Sequence, residues 1–259
     1  MFIIDAVAHN NRMRGVHPLE KFVFSMSVLA VAAASSSAAV LSAVCLIMLA
    51  AIVAGARIPL LKLVKLFSIP LVFILFSVTA VAIAADANRF DGFVTVAAAG
   101  YWFGITRGSL GQGAALLLRS IAATLCFYFL ILTTPQSDIE YILVRLRVPK
   151  ILRETFVHVY RFIFIVSGMA GNIRVSQKTR LGYRGLGRAY RSLGGLVSSV
   201  FIKSLAFSES SYRALLARGY TGEIRGCGRA YAPSARNRII IAVTVALLAG
   251  LEIALRLRS

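Results

Sequence analysis

The chain has 259 residues, 58% of them hydrophobic, with mean hydropathy +0.79; soluble domains hold about 45–50% apolar residues, so an ordinary water-soluble globule is excluded. Charged residues make up only 15%, yet 29 Lys and Arg stand against 10 Asp and Glu, a net +19 that suits an anionic surface or an acidic partner. The cysteines Cys45, Cys126 and Cys227 form no CxxC pair, so they are expected to pack as small apolar side chains rather than bind zinc or cycle redox.

Residues 1–21 carry Asp5, Arg12, Arg14, Glu20 and Lys21 with no apolar core ahead of a cleavage site. They read as a retained cytoplasmic arm, not a signal peptide. The tract from Phe22 to Gly55 would make a helix of about 50 Å, against a hydrocarbon core of about 30 Å. Ser35-Ser36-Ser37 near its middle predicts two short helices, 22–35 and 38–55. A basic loop, 56–65, follows, with Arg57, Lys62, Lys65 and Pro59. A third apolar run covers 66–85, with Pro70 near its start. The mixed stretch 86–112 holds Asp86, Arg89, Asp91 and Arg107, with Tyr101 and Trp102 as interfacial aromatics. A fourth run, 113–133, has Arg119 as its one charge. The last run, 239–255, has Glu252 near its end, expected to snorkel or to pair with Arg256.

Pro135 ends the fourth run. Asp138 and Glu140 then open a short helix, closed by Pro149; acidic residues suit a helix N-terminus. A helix over 150–180 follows, then the glycine-rich break Gly182-Tyr183-Arg184-Gly185-Leu186-Gly187. A further helix runs over 192–218 and stops at Gly219, a residue type that readily takes the left-handed C-terminal conformation. It is rich in small residues, among them Ser199, Ser204, Ser208 and Ser211, which let helices approach closely or simply make a solvated face. Within 150–180, His158 and Arg161 interrupt the apolar tract, so that helix is expected to lie at the interface rather than to span.

The fold class is therefore all-α, a polytopic membrane bundle of about five spans with long cytoplasmic helices. Its parts are the arm at 1–21, the bundle at 22–134, a cytoplasmic region at 135–237 and a final transmembrane helix at 238–259. Charge sets the orientation. The 56–65 loop is positive, the 86–112 loop is balanced, and 135–237 has 17 Lys and Arg against 5 Asp and Glu, a net +12. Positive loops stay inside, so the N-terminus and 135–237 face the cytoplasm and the Ser35 turn and 86–112 face out. Arg256 and Arg258 would then lie outside, a mild conflict.

The two long helices of 135–237 end alike, in Thr179-Arg180-Leu181-Gly182-Tyr183 and Ala217-Arg218-Gly219-Tyr220. The helix dipole alone favours an arginine in a last turn. Two matching ends in one basic region point further, to arginines offered to acidic or carbonyl-lined grooves, which the planar guanidinium fork fits. Catalytic signatures are missing. No GxxxxGK[ST] loop is present, so the chain is not expected to hydrolyse ATP, and neither HExxH nor a Cys/His cluster appears. His9, His17 and His158 lie far apart in sequence.

Together, the N-terminal arm with Asp5, Arg12, His17-Pro18 and Lys21, the Thr134-Pro135 and Val148-Pro149 pairs, and the two arginine ends resemble the T component of energy-coupling-factor (ECF) transporters, nearest the cobalt-type CbiQ branch. The likeness covers nearly the whole length. The second end matches the family's Ala-Arg-Gly form; the first departs as Thr-Arg-Leu but keeps its arginine. The resemblance implies a non-catalytic coupling subunit of an ATP-driven cobalt importer in the bacterial cytoplasmic (inner) membrane. It implies two ATPase subunits that bind ATP and Mg, a CbiM-like substrate-binding membrane subunit and a small CbiN-like accessory subunit. No cofactor or metal is expected in this chain. Arg180 and Arg218 would dock the ATPases, flanked by Thr179, Leu181, Ala217 and Gly219. A nickel-type T component and a stand-alone carrier are the alternatives. A membrane-embedded enzyme lacks a catalytic constellation, and no specific nucleic-acid binding is expected. Cysteines introduced at Ser36 and Ser198 should label from opposite sides of the membrane; same-side labelling would require six crossings.

Overall fold

The computed structural model describes residues 3–35, 37–82, 84–86, 94–98, 101–105, 107–220, 231 and 233–256. It contains α1 (Ile3–His9), α2 (Pro18–Ala34), α3 (Ala38–Ala50, continued by a wide turn, Ala51–Gly55) and α4 (Leu60–Ala82). Three strands follow, β1 (Ala84–Asp86), β2 (Val94–Ala98) and β3 (Tyr101–Ile105). Then come α5 (Arg107–Thr133), α6 (Gln136–Arg145), α7 (Lys150–Thr179), α8 (Leu186–Ala217) and α9 (Ala235–Arg256). The chain divides into two compact units, 143–229 and a bundle made of 2–142 with 230–259. The short helix α6 thus belongs mostly to the bundle.

The expected helices form close to their expected bounds, and the differences have local causes. Pro59 accepts from the Lys62 and Leu63 amides, so α4 begins at Leu60 and takes in two lysines read as loop. Helix α8 starts at Leu186, earlier than 192, because Gly187 is accommodated within it. The mixed stretch after α4 is not a plain loop. Its strands form an antiparallel sheet in the order β1-β3-β2, with Trp102 opposite Asp86 and Ala97. The side chain of Trp102 and all of Cys227 lie outside the described residues.

The bundle core joins Val28 and Ala32 of α2 to Leu41, Val44 and Met48 of α3, to Ala122, Cys126 and Phe129 of α5, and to Leu248 of α9. Cys126 is buried there, as an apolar filler should be. Helix α4 leaves Ile69, Phe73 and Phe76 exposed, a surface that only lipid or another membrane protein covers favourably. Pro70 sits inside α4 and donates no hydrogen bond to the Leu66 carbonyl four residues back. The Tyr128 hydroxyl of α5 donates to that carbonyl instead, at 2.8 Å.

Polar ties fix the direction of each helix. Along α2 and α5, Lys21 Nζ donates to the Thr133 carbonyl (2.9 Å), Ser25 to the Cys126 carbonyl (2.8 Å) and Arg119 to the Ser35 carbonyl (2.6 Å), so the two helices are antiparallel. Along α2 and α9 the direction is the same. Asn237 donates to Glu20 at one end (2.9 Å), and the Ser35 hydroxyl donates to Glu252 at the other (2.5 Å). Both contacts join residues 217 apart in sequence, so α2 and α9 lie parallel and in register. Glu252 therefore bonds to the α2 terminus, a partner not foreseen from the sequence; the side chain of Arg256 lies outside the described residues.

This parity bears on which helices cross. Among the described residues, five helices are long and apolar enough to span: Ala38–Gly55, Leu60–Val81, Gly111–Thr133, Lys150–Thr179 and Ala235–Leu255. Helix α2, of 17 residues, runs antiparallel to α5 and parallel to α9 within the same bundle. The end of α5 and the start of α9 consequently lie at one end of the bundle, beside Lys21 and Glu20. A single crossing by α7 would separate them. A paired crossing by α7 and α8 would carry Lys178, Arg180, Arg184, Arg188 and Arg191 to the far side, against the rule that positive loops stay inside.

Replacing Tyr128 by Phe should cost about 1–2 kcal/mol, because the Leu66 carbonyl loses its donor. Adding Pro70→Ala, which restores an amide donor, should recover much of that loss; equal melting losses in single and double variants would contradict the pairing.

Candidate functional site

The 143–229 unit is built on the antiparallel hairpin of α7 and α8. Gln177 Nε2 donates to the Ser192 carbonyl at 2.9 Å, and the rings of Phe162 and Phe207 meet edge to face at 5.8 Å. The tight end of the hairpin is closed by a small network. Tyr183 donates to Gln177 Oε1 at 2.8 Å, and Ser192 donates to the Gly182 carbonyl at 2.8 Å. Gly182 is needed there: a Cβ would lie 2.6 Å from Ser192 Oγ and 2.9 Å from the Gln177 carbonyl oxygen.

The two arginine ends share one backbone geometry. After α7, the Leu181 amide donates to the Lys178 carbonyl (3.1 Å) and the Gly182 amide to the Gln177 carbonyl (2.9 Å). After α8, the Gly219 amide donates to the Leu216 carbonyl (3.0 Å) and the Tyr220 amide to the Leu215 carbonyl (3.1 Å). Both are Schellman closures, in which one left-handed residue turns the chain and satisfies the last carbonyls. Arg180 and Arg218 hold the same position, immediately before the left-handed residue. Leu181 (φ 58°) and Gly219 (φ 75°) are equivalent, although the Gly-Tyr pairs that follow are offset by one residue in sequence. The alignment of Thr-Arg-Leu with Ala-Arg-Gly already set these two residues against each other, and the shared left-handed backbone supplies the physical reason.

Thr179, Arg180, Leu181, Ala217, Arg218 and Gly219 are all exposed. The fold does not bring the two arginines together. They lie at opposite ends of the hairpin, separated by a 32-residue helix about 48 Å long. Each borders a cavity of its own. Arg218 lines one of about 550 Å³ with His158, Arg161 and Tyr212, and Arg180 lines one of about 360 Å³ with Gln177, Ser199 and Lys203. Ser199, Ser208 and Ser211 face these cavities, so part of the small-residue face of α8 shapes open grooves. Both cavities are cationic at their rims and suit acidic side chains or carbonyl-rich surfaces. Among the described residues, no group of three His, Cys, Asp or Glu is placed to hold a metal ion.

A multi-pass helical bundle and a basic helical hairpin with twin arginine-bearing ends define a polytopic membrane protein. The chain belongs to the CbiQ family of cobalt transport proteins, which it matches over residues 10–226, a range that includes both arginine ends. The cobalt transport protein CbiQ of Rhodobacter capsulatus is 30% identical over 222 residues, covering 86% of this chain and 86% of that protein. CbiQ of Salmonella typhimurium is 28% identical over 167 residues, 64% of this chain and 74% of that protein. A putative fused cobalt transport protein CbiMQ of Methanocorpusculum labreanum is 28% identical over 221 residues, 85% of this chain but 37% of that protein.

Leu181→Gly should stabilise the α7 end by about 1 kcal/mol, since glycine takes the left-handed conformation without a Cβ penalty. Gly219→Ala should lose about as much. Thermal melting of the purified protein checks both; equal effects of opposite sign would confirm the equivalence of the two positions.

Proposed function

We propose that this chain is the coupling T component of an ECF-type importer for cobalt ions, joining two ATPase subunits to a substrate-binding membrane subunit. The single observation that carries the reading is the pair of exposed arginines in identical Schellman closures at the two ends of one hairpin. Two equivalent contacts about 48 Å apart suit two copies of one partner better than a single small one. Arg180 and Arg218 are the docking residues in this reading, with Thr179, Leu181, Ala217 and Gly219 shaping the approach. ATP and Mg belong to the ATPases, and this chain transmits their closing and opening.

The fused CbiMQ relative supports a CbiM-like neighbour in the membrane, since a fusion holds two functionally linked segments in one chain. The exposed apolar face of α4 offers such a neighbour a surface. A CbiN-like accessory subunit and residence in the inner membrane complete the proposal. Membrane lipid accounts for the remaining exposed apolar surface.

Arg180→Ala with Arg218→Ala should reduce ATPase co-purification about tenfold or more, the scale of losing central arginine contacts, while the chain stays in the membrane. Unchanged co-purification would overturn the docking assignment. Cobalt uptake by this chain alone in liposomes would favour a stand-alone carrier instead.

A further inference from the structure

The 143–229 unit leaves the bundle after Ile142 and rejoins it at Ala230. The bundle residues next to these two junctions are tied to each other. Tyr231, just past the second, donates its hydroxyl to Asp138 Oδ1 at 2.6 Å, and Asp138 sits in the first turn of α6, four residues before the first junction. The rings of Tyr231 and Tyr141 meet at 6.2 Å. His17 contacts both edge-on, at 5.6 Å from Tyr141 and 6.1 Å from Tyr231. Asp138, His17 and Ile142 are all buried.

The same knot is fastened to the first turn of α2. The His17 ring accepts from the Leu19 amide at 3.2 Å and so caps that helix. Glu20, next along, accepts from the Ser234 amide and from Asn237, both at 2.9 Å, and so holds the start of α9. Lys21 holds the end of α5 through the Thr133 carbonyl, and the Asp138 carboxylate acts on it through charge. One turn of α2 therefore grips both chain connections.

We infer that Asp138, Tyr141, Tyr231 and His17 form a coupling clamp that makes the two connections move as one and delivers that movement to α2. The inference rests on the proposed coupling role. A knot of three rings, two of them half-buried, packed on a buried carboxylate with a short hydrogen bond resists relative displacement, because packed contacts of this kind shift between discrete arrangements rather than stretching. Without the tie, one connection yields while the other holds, and motion dissipates at the junction. Asp138 and Tyr231 are positioning residues: they touch neither ion nor nucleotide in this scheme.

Tyr231→Phe removes one oxygen and keeps the ring packing, so it isolates the tie from the fold. In the complex with its ATPases, Tyr231→Phe should leave ATPase co-purification and ATP hydrolysis near wild type. Cobalt imported per ATP should fall about fivefold or more, the lower end of typical coupling energies. Asp138→Asn keeps an acceptor for Tyr231 and should remain the better coupled of the two, whereas Asp138→Leu should match Tyr231→Phe. Hydrogen exchange on the same samples should show faster exchange in 136–145 and 233–241 for Tyr231→Phe. Bound ATPases with unchanged import per ATP would overturn the clamp while leaving the coupling role standing. A wild-type chain that binds no ATPase would overturn the coupling role and the clamp with it. If Tyr231→Phe does not reach the membrane, Asp138→Leu takes its place, and wild-type import per ATP together with wild-type protection of 136–145 and 233–241 in that variant would overturn the clamp.

Discussion

The parallel, in-register pairing of α2 with α9 is the constraint on which the rest of the bundle depends. Carboxylates are costly inside a membrane unless they are paired. Glu20 and Glu252 each find their partner on the opposite helix of this pair, fifteen residues apart along both. At 1.5 Å per residue the two ties are about 22 Å apart, most of a hydrocarbon thickness. A slip of one turn would leave both acids unpaired at once. That register fixes the direction of α9, and with α5 antiparallel to α2 it fixes the side on which residues 134–234 leave and return.

Arginine serves two separate purposes along the chain. Arg119 points inward and donates to the Ser35 carbonyl, where it neutralises the negative end of α2. Arg180 and Arg218 point outward at the ends of α7 and α8, where their own helices already satisfy their last carbonyls by backbone closure. Because the backbone has closed those ends, the two guanidinium groups are left available for another surface. In the proposed coupling role, that division between a structural and a presented arginine makes each helix end a docking element.

The sequence made the spans and hairpin helices legible because hydropathy and breakers are local properties. Pro135, Pro149 and Gly219 mark helix boundaries by what their own backbones permit. The arginine ends were visible as repeated strings that set Leu181 against Gly219, but the left-handed backbone they share was not, because leucine seldom takes it. The ties from Glu20 to Asn237 and from Asp138 to Tyr231 were not legible. They join residues distant in sequence whose side chains meet only after the bundle closes. The folded arm at α1 escaped notice for the same reason: Asn11 donates to the Leu132 carbonyl, and no local pattern announces it. The strands after α4 lay in a stretch whose mixed charge concealed its extended backbone.

The pairing of α2 with α9 also has a consequence for biogenesis. Helix α2 is made long before its partner α9, whose contacting residues follow 217 positions later in the chain. Until then Glu20 and the Ser35 turn lack their α9 contacts. Closure of the bundle is thus a late event, and a ribosome that stops short of Asn237 leaves behind a product with a polar seam open to lipid, a natural mark for membrane proteases.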